Sequence, residues 1–115
     1  MSEDATNNTI SFEEFSKVKL VVGKIVEAES IPGYKKLLKL KVDVGDGIRD
    51  ILSGIAIYYS PEELIGKRVI ICINLNPKRI GTLISQGMIL AAEGDDGKPI
   101  LITTSEDVRP GSKIE

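Results

Sequence analysis

Apolar and polar positions alternate through much of this chain. Leu38, Leu40, Val42 and Val44 alternate with Leu37, Lys39, Lys41 and Asp43, which predicts a strand with one face inward and one in water. Before it, over residues 18–28, Val18, Leu20, Val22, Val26 and Ala28 share a parity that Gly23-Lys24 interrupts, as a bulge or bend would in a strongly curved strand. Ile31-Pro32-Gly33 and Gly45-Asp46-Gly47 read as turns, and residues 49–53 predict a short third strand ending at Gly54. Residues 60–66 carry an N-cap serine, a proline at the first helical position, acids in the first turn and a closing glycine. They predict a complete short helix.

Residues 67–73 and 88–92 predict strands that are apolar on both faces; residues 99–103, and then a turn and strand over 107–114, complete the chain. Near the start, Ser11 predicts an N-cap, with Glu13 and Glu14 in the first turn of a short helix that Ile10, Phe12 and Phe15 staple to the body. Residues 1–9 have almost no apolar surface and are expected to be a flexible tail, leaving 10–115 as one domain. The expected class is all-β with short helices. Three strands, a helix and two more strands is the order of an OB-fold, a five-stranded Greek-key barrel, here with additional C-terminal strands. Other small barrels share short strands and glycine turns, so spacing alone leaves them open.

One stretch departs from simple alternation. Residues 72–92 leave an apolar strand, break at Asn76-Pro77, show the adjacent cations Lys78 and Arg79, and return to an apolar strand after Gly87. The connection is longer than a tight turn needs, and loops held by strands are where binding residues concentrate. It offers Asn74, Lys78, Arg79, Ser85 and Gln86 as donors and contains no carboxylate, which suits an anionic partner, phosphate above all.

Composition narrows the chemistry. At 115 residues the chain can bury a core without disulfides or metals. There is no histidine, hence no imidazole base and no ligand set for zinc beyond one thiol, and Cys72 sits in an apolar run as a buried, inert cysteine would. The glycines of Gly45-Asp46-Gly47 lack nucleotide-loop spacing, and Asp43, Asp46, Asp95 and Asp96 lack calcium-loop spacing. No catalytic residue, metal or cofactor is expected. The acidic, polar N-terminus and the absence of a long apolar run predict a soluble, cytoplasmic protein with no membrane partner.

The net charge of −2 gives no general support for nucleic-acid binding, but distribution outweighs the sum. Lys17, Lys19, Lys24, Lys35, Lys36, Lys39 and Lys41 fall in one segment whose acids are Glu27 and Glu29, so a basic face on an acidic protein is one reading and a solvated strand face the other. Tryptophan is absent and the aromatics (Phe12, Phe15, Tyr34, Tyr58, Tyr59) are expected to lie off the first three strands. Base stacking is then a poor fit, and a sugar–phosphate surface met by shape suits structured RNA better.

The blocks Phe15-Ser-Lys-Val-Lys-Leu-Val-Val-Gly-Lys-Ile, Lys36-Leu-Leu-Lys-Leu-Lys-Val-Asp-Val-Gly, Ser53-Gly-Ile-Ala, Pro61-Glu-Glu-Leu-Ile-Gly-Lys and Ser85-Gln-Gly-Met-Ile-Leu-Ala-Ala occur in that order. Together they resemble the tRNA-binding domain at the C-terminus of methionyl-tRNA synthetases, also known free-standing and in endothelial monocyte-activating polypeptide. The resemblance covers about residue 10 onward. It implies an OB-fold that recognises the outer corner of folded tRNA, and by motif position it points to Lys36, Ser53, Asn74, Lys78, Arg79, Ser85 and Met88 as contacts, with a core position the other reading of Met88. Lys19, Val21, Lys35 and Gln86 stand where the family usually has Asp, Arg, Asp and Glu. Lys35 and Gln86, in place of acids, should favour phosphate and join the candidate set.

The length implies a free-standing auxiliary or beta subunit of methionyl-tRNA synthetase, with the catalytic synthetase chain as a partner. An export-related chaperone of the same fold, which binds unfolded polypeptide, is the alternative. A homodimer is expected, because residues 69–73 and 88–92 carry more apolar surface than one small barrel encloses.

Overall fold

The computed structural model describes residues 8–115. The expected tail, residues 1–9, lies outside them except for its last two positions. Helix α1 (Phe12–Ser16) opens the described fold with a capping box: the Glu14 amide donates to Ser11 Oγ at 3.0 Å, and the Ser11 amide to Glu14 Oε1 at 3.1 Å. Nine strands follow: β1 (Leu20–Ile31), β2 (Tyr34–Asp43), β3 (Ile48–Ser53), β4 (Arg68–Cys72), β5 (Lys78–Ile80), β6 (Leu83–Ser85), β7 (Met88–Ile89), β8 (Ala91–Glu93) and β9 (Pro99–Leu101). Helix α2 (Pro61–Leu64) lies between β3 and β4 with the predicted serine cap, and Gly66 beyond it has φ +92°. The fold is mostly β, an antiparallel, barrel-like sheet in the order β3-β2-β1-β4-β7.

The inward face of β2 is the predicted one: Leu38, Leu40, Val42 and, just beyond the strand, Val44 are buried. They meet Ile25, Ile51, Ile71 and Leu64 of α2 in one core. On β1 the core-facing residues are Val21 and Ile25, so the parity shared by Val18, Leu20 and Val22 is not the core face. The first half of β1 is covered on both faces, Val22 being buried as well, so its alternation carries no information about sides. The interruption is displaced too. Register slips between Ile25 opposite Val42 and Glu27 opposite Lys41, making Val26 the bulged residue rather than Gly23-Lys24. Gly23 answers a different need: a methyl group there would lie 2.6 Å from Val42 Cγ1 and 3.0 Å from Ile71 Cγ1.

Three further departures matter for function. Tyr34 is the first residue of β2, not off the strands as expected, because Gly33 at φ +87° turns the chain tightly. Register then jumps from Ile31 opposite Tyr34 to Ser30 opposite Leu38, leaving Lys35, Lys36 and Leu37 as an unmatched step. The presumed loop after β4 contains a hairpin, β5 paired with β6, whose six residues are too few for periodicity to betray them. Strand 88–92 is two strands, β7 and β8, which join different partners.

β3 and β7, the ends of the sheet, are bridged by residues 85–87. The Gln86 amide donates to Asp50 O at 2.8 Å, the Asp50 amide to Gln86 Oε1 at 3.0 Å, and the Leu52 amide to Ser85 Oγ at 2.9 Å. Two of these three acceptors or donors on the incoming segment are side chains standing in for backbone, so the seam closes without a full strand. Val69, Ile70, Ile71 and Cys72 are all buried in the single chain, which removes the expected open second face of β4. The C-terminal segment lies along β1: the Gly111 amide donates to Val22 O, the Val22 amide to Ser112 O and the Ile114 amide to Leu20 O.

Candidate nucleic-acid interface

The lysine-rich segment does not make a uniformly basic face. In the β1-β2-β3 ladder Glu27 stands opposite Lys41 and Lys41 opposite Asp50, while Glu29 stands opposite Lys39. Lys41 Nζ contacts Asp50 Oδ1 at 2.9 Å; the hydrogen bond and the charge of Asp50, helped by Glu27 and Glu29, raise the Lys41 pKa above its ordinary value. Of the β2 lysines that face these acids, Lys41 is paired, while Lys39 has Glu29 as its cross-strand neighbour.

Uncompensated cations sit elsewhere. Lys35 and Lys36 occupy the unmatched step of β2, and Lys78 and Arg79 lie on β5; all are exposed, and none makes an ion pair among the described residues. The two groups are linked through Tyr34. A methyl group on Gly81, at the hairpin tip, would fall 2.6 Å from the Tyr34 hydroxyl, so the start of β2 and the tip of β5-β6 touch. Tyr34, expected off the strands, reaches this position because β2 begins directly after the turn at Gly33. The Lys36 carbonyl accepts from the Ala56 amide at 3.0 Å, and Ser53 closes β3 opposite Leu38, so Ser53 belongs to the same end of the barrel. A groove of ≈330 Å³ runs between the hairpin and the outer side of β3, with Lys39, Leu52, Thr82 and Ile84 among its walls.

The remaining candidates are structural or peripheral in position. Ser85 is buried (5 % exposed), its hydroxyl accepting from Leu52 and donating to Gly87 O at 3.0 Å. Gln86 is exposed, but its amide oxygen is held in the seam. Asn74 bonds at both ends of its amide, donating to Lys17 O at 2.6 Å and accepting from the Lys19 amide at 2.9 Å, which fastens the start of β1. Met88 is 47 % exposed on β7, outside the core. Arg49, in no motif that sequence alone singles out, reaches from β3 to the carbonyls of Ile73 and Gln86.

Among the described residues no group of acids and cysteines could hold a metal ion, and no helix is long and apolar enough to cross a membrane. The described residues form a small antiparallel barrel with exposed cations at one end. The model of the family described as "Putative tRNA binding domain" matches residues 20–113, and the chain belongs to that family. It is 51 % identical over 105 residues to a methionine–tRNA ligase of Methanocaldococcus jannaschii, covering 91 % of this chain and 16 % of that protein. The chain therefore spans about one sixth of the length of such relatives. Among solved structures it resembles a MetRS-related protein from Pyrococcus horikoshii at TM-score 0.87 and 42 % identity, covering 94 % of this chain and 99 % of that one. It also resembles the CsaA chaperone protein from Picrophilus torridus at TM-score 0.84 and 34 % identity, over 93 % and 100 % of the two chains.

Proposed function

We propose that this chain is a structure-specific tRNA-binding module of OB type, acting in the cytoplasm as a free-standing auxiliary or beta subunit of methionyl-tRNA synthetase. It binds without catalysing, and uses no metal or cofactor. The observation that carries this reading is the end of the barrel where Lys35, Lys36, Lys78 and Arg79 are exposed with no acid paired to them. Such cations suit phosphates presented at fixed spacing by a folded RNA. Identity with the synthetase of M. jannaschii supports tRNA as the ligand and the catalytic synthetase chain as a partner.

Measuring affinity for intact tRNA across a salt series tests it. Four phosphate contacts per chain give a log–log slope on the order of −3, at ~0.7–0.9 per contact. Lys78→Ala with Arg79→Ala lowers tRNA affinity and flattens the slope by about two contacts, with stability changed by no more than about 0.5 kcal/mol. Normal tRNA binding by this double variant removes the hairpin from the interface.

A second reading has its own support. Likeness to CsaA, together with exposed Ile57, Tyr58 and Ile65, fits a surface for unfolded polypeptide. The double variant separates the two: a polypeptide-binding activity survives it.

The working unit in this proposal is a homodimer. An apolar groove of ≈480 Å³ lies between α1, the start of β1 and the C-terminal segment, lined by Phe15, Val18, Leu20, Ile73 and Ile114. Phe12 forms part of its wall and still projects, 81 % exposed. A patch that holds both a projecting apolar side chain and an apolar groove is self-complementary, which is what a two-fold contact between copies requires.

A further inference from the structure

Arg49 stands at the neck of the excursion that carries Lys78 and Arg79. Its Nη1 donates to Ile73 O at 2.6 Å and to Gln86 O at 3.2 Å. Ile73 is the residue after β4 ends, and Gln86 the residue after β6 ends. One guanidinium nitrogen therefore joins the point where the chain leaves the sheet to the point where it returns. Between those points the three-residue strands β5 and β6 pair with each other in a separate two-stranded sheet. A ladder that short does not fix its own orientation, and isolated two-stranded hairpins are marginal in water.

We infer that Arg49 is a positioning residue for the tRNA-contacting hairpin, acting beside the Ser85 and Gln86 bonds to β3 to hold Lys78 and Arg79 in their binding geometry without touching RNA itself. The inference rests on the tRNA reading above. Arginine suits the task because its charge-assisted bonds to two carbonyls come from a rigid planar group, whereas a lysine ammonium is a point charge on a flexible stem. Ordering the hairpin before RNA arrives removes an entropic cost from binding. The competing role is direct phosphate contact: Arg49 also lines a groove of ≈440 Å³ with Asp46, Gly47, Leu75 and Pro77.

Salt dependence separates the two roles, because each phosphate contact adds about 0.7–0.9 to the slope whereas pre-organisation changes affinity at every salt concentration alike. Arg49→Ala, Arg49→Lys and Lys78→Ala are compared for tRNA affinity from about 50 to 300 mM salt, and for amide hydrogen exchange over residues 74–86. Arg49→Ala is expected to lower affinity about tenfold with an unchanged slope. Hairpin amides should exchange faster while those of β1 and β2 stay protected. Arg49→Lys should recover part of both losses, and Lys78→Ala should flatten the slope with exchange unchanged. A flattened slope for Arg49→Ala with normal hairpin exchange makes Arg49 a direct contact and overturns the inference, as does wild-type affinity. If Arg49→Ala fails to fold, the neutral, bulkier Arg49→Gln carries the same comparison. Should the wild-type chain not bind tRNA, the functional reading falls, while the exchange data still decide whether Arg49 holds the hairpin.

Discussion

The inner wall of the barrel is sensitive to a single methyl group. At Gly23 the facing atoms belong to Val42 on β2 and Ile71 on β4, both fixed in the core, so neither can withdraw as a flexible side-chain end would. Gly23→Ala is expected to destabilise the chain by about 1–3 kcal/mol through overpacking, read as a lowered denaturation midpoint at unchanged m-value. Wild-type stability would mean that β2 and β4 separate at little cost. The same scale shows why residue type is a weak guide to role. Ser85 and Asn74 are polar residues in a motif associated with tRNA, yet their hydrogen-bonding atoms are occupied by backbone of this chain. Lys78 and Arg79, like Lys35 and Lys36, are exposed and make no ion pair among the described residues.

At the scale of elements, β1 sets where nucleic acid can approach. Its bulge at Val26 sets Glu27 and Glu29 opposite Lys41 and Lys39, which lowers the net positive field of that face relative to the barrel end. Glu27→Gln with Glu29→Gln should strengthen binding to non-cognate polyanions, such as duplex DNA, by about tenfold at low salt and steepen the salt slope. Affinity for tRNA should change much less; an equal gain for tRNA and DNA would show that these acids confer no selectivity. This pairing was not legible beforehand. Lysine count along β2 left a basic face and a solvated strand face both open, because sequence order hides which β1 residue lies across the ladder, and a one-residue bulge decides it. The inward set Leu38, Leu40 and Val42, the α2 cap and the turn at Gly45 were legible, since each is written in local periodicity or in a residue's own backbone preference. The β5-β6 hairpin and the side-chain seam at Ser85 and Gln86 were not, as both depend on partners more than thirty residues away or on strands too short to show a period.

For the whole molecule, the dimer proposal moves from the sheet to the ends of the described chain. Phe12→Ser is expected to shift sedimentation equilibrium at micromolar concentration toward the 12.5 kDa monomer while leaving the denaturation midpoint of the barrel near wild type. A wild-type protein that is already monomeric, or a variant that stays dimeric, places the contact elsewhere or removes it. The C-terminal segment has a further consequence, which concerns time rather than shape. Its bonds to Leu20 and Val22 join positions some ninety residues apart, and Gly111 packs against Gly45 closely enough that a methyl group on either would meet the other's backbone within 3.0 Å. Contacts of such sequence separation form only after a large loop closes, and chains dominated by them fold in milliseconds to seconds rather than microseconds. Until that closure, the first half of β1 exposes a strand edge, so the interval before the last segment docks is when this protein is most open to pairing with the wrong chain.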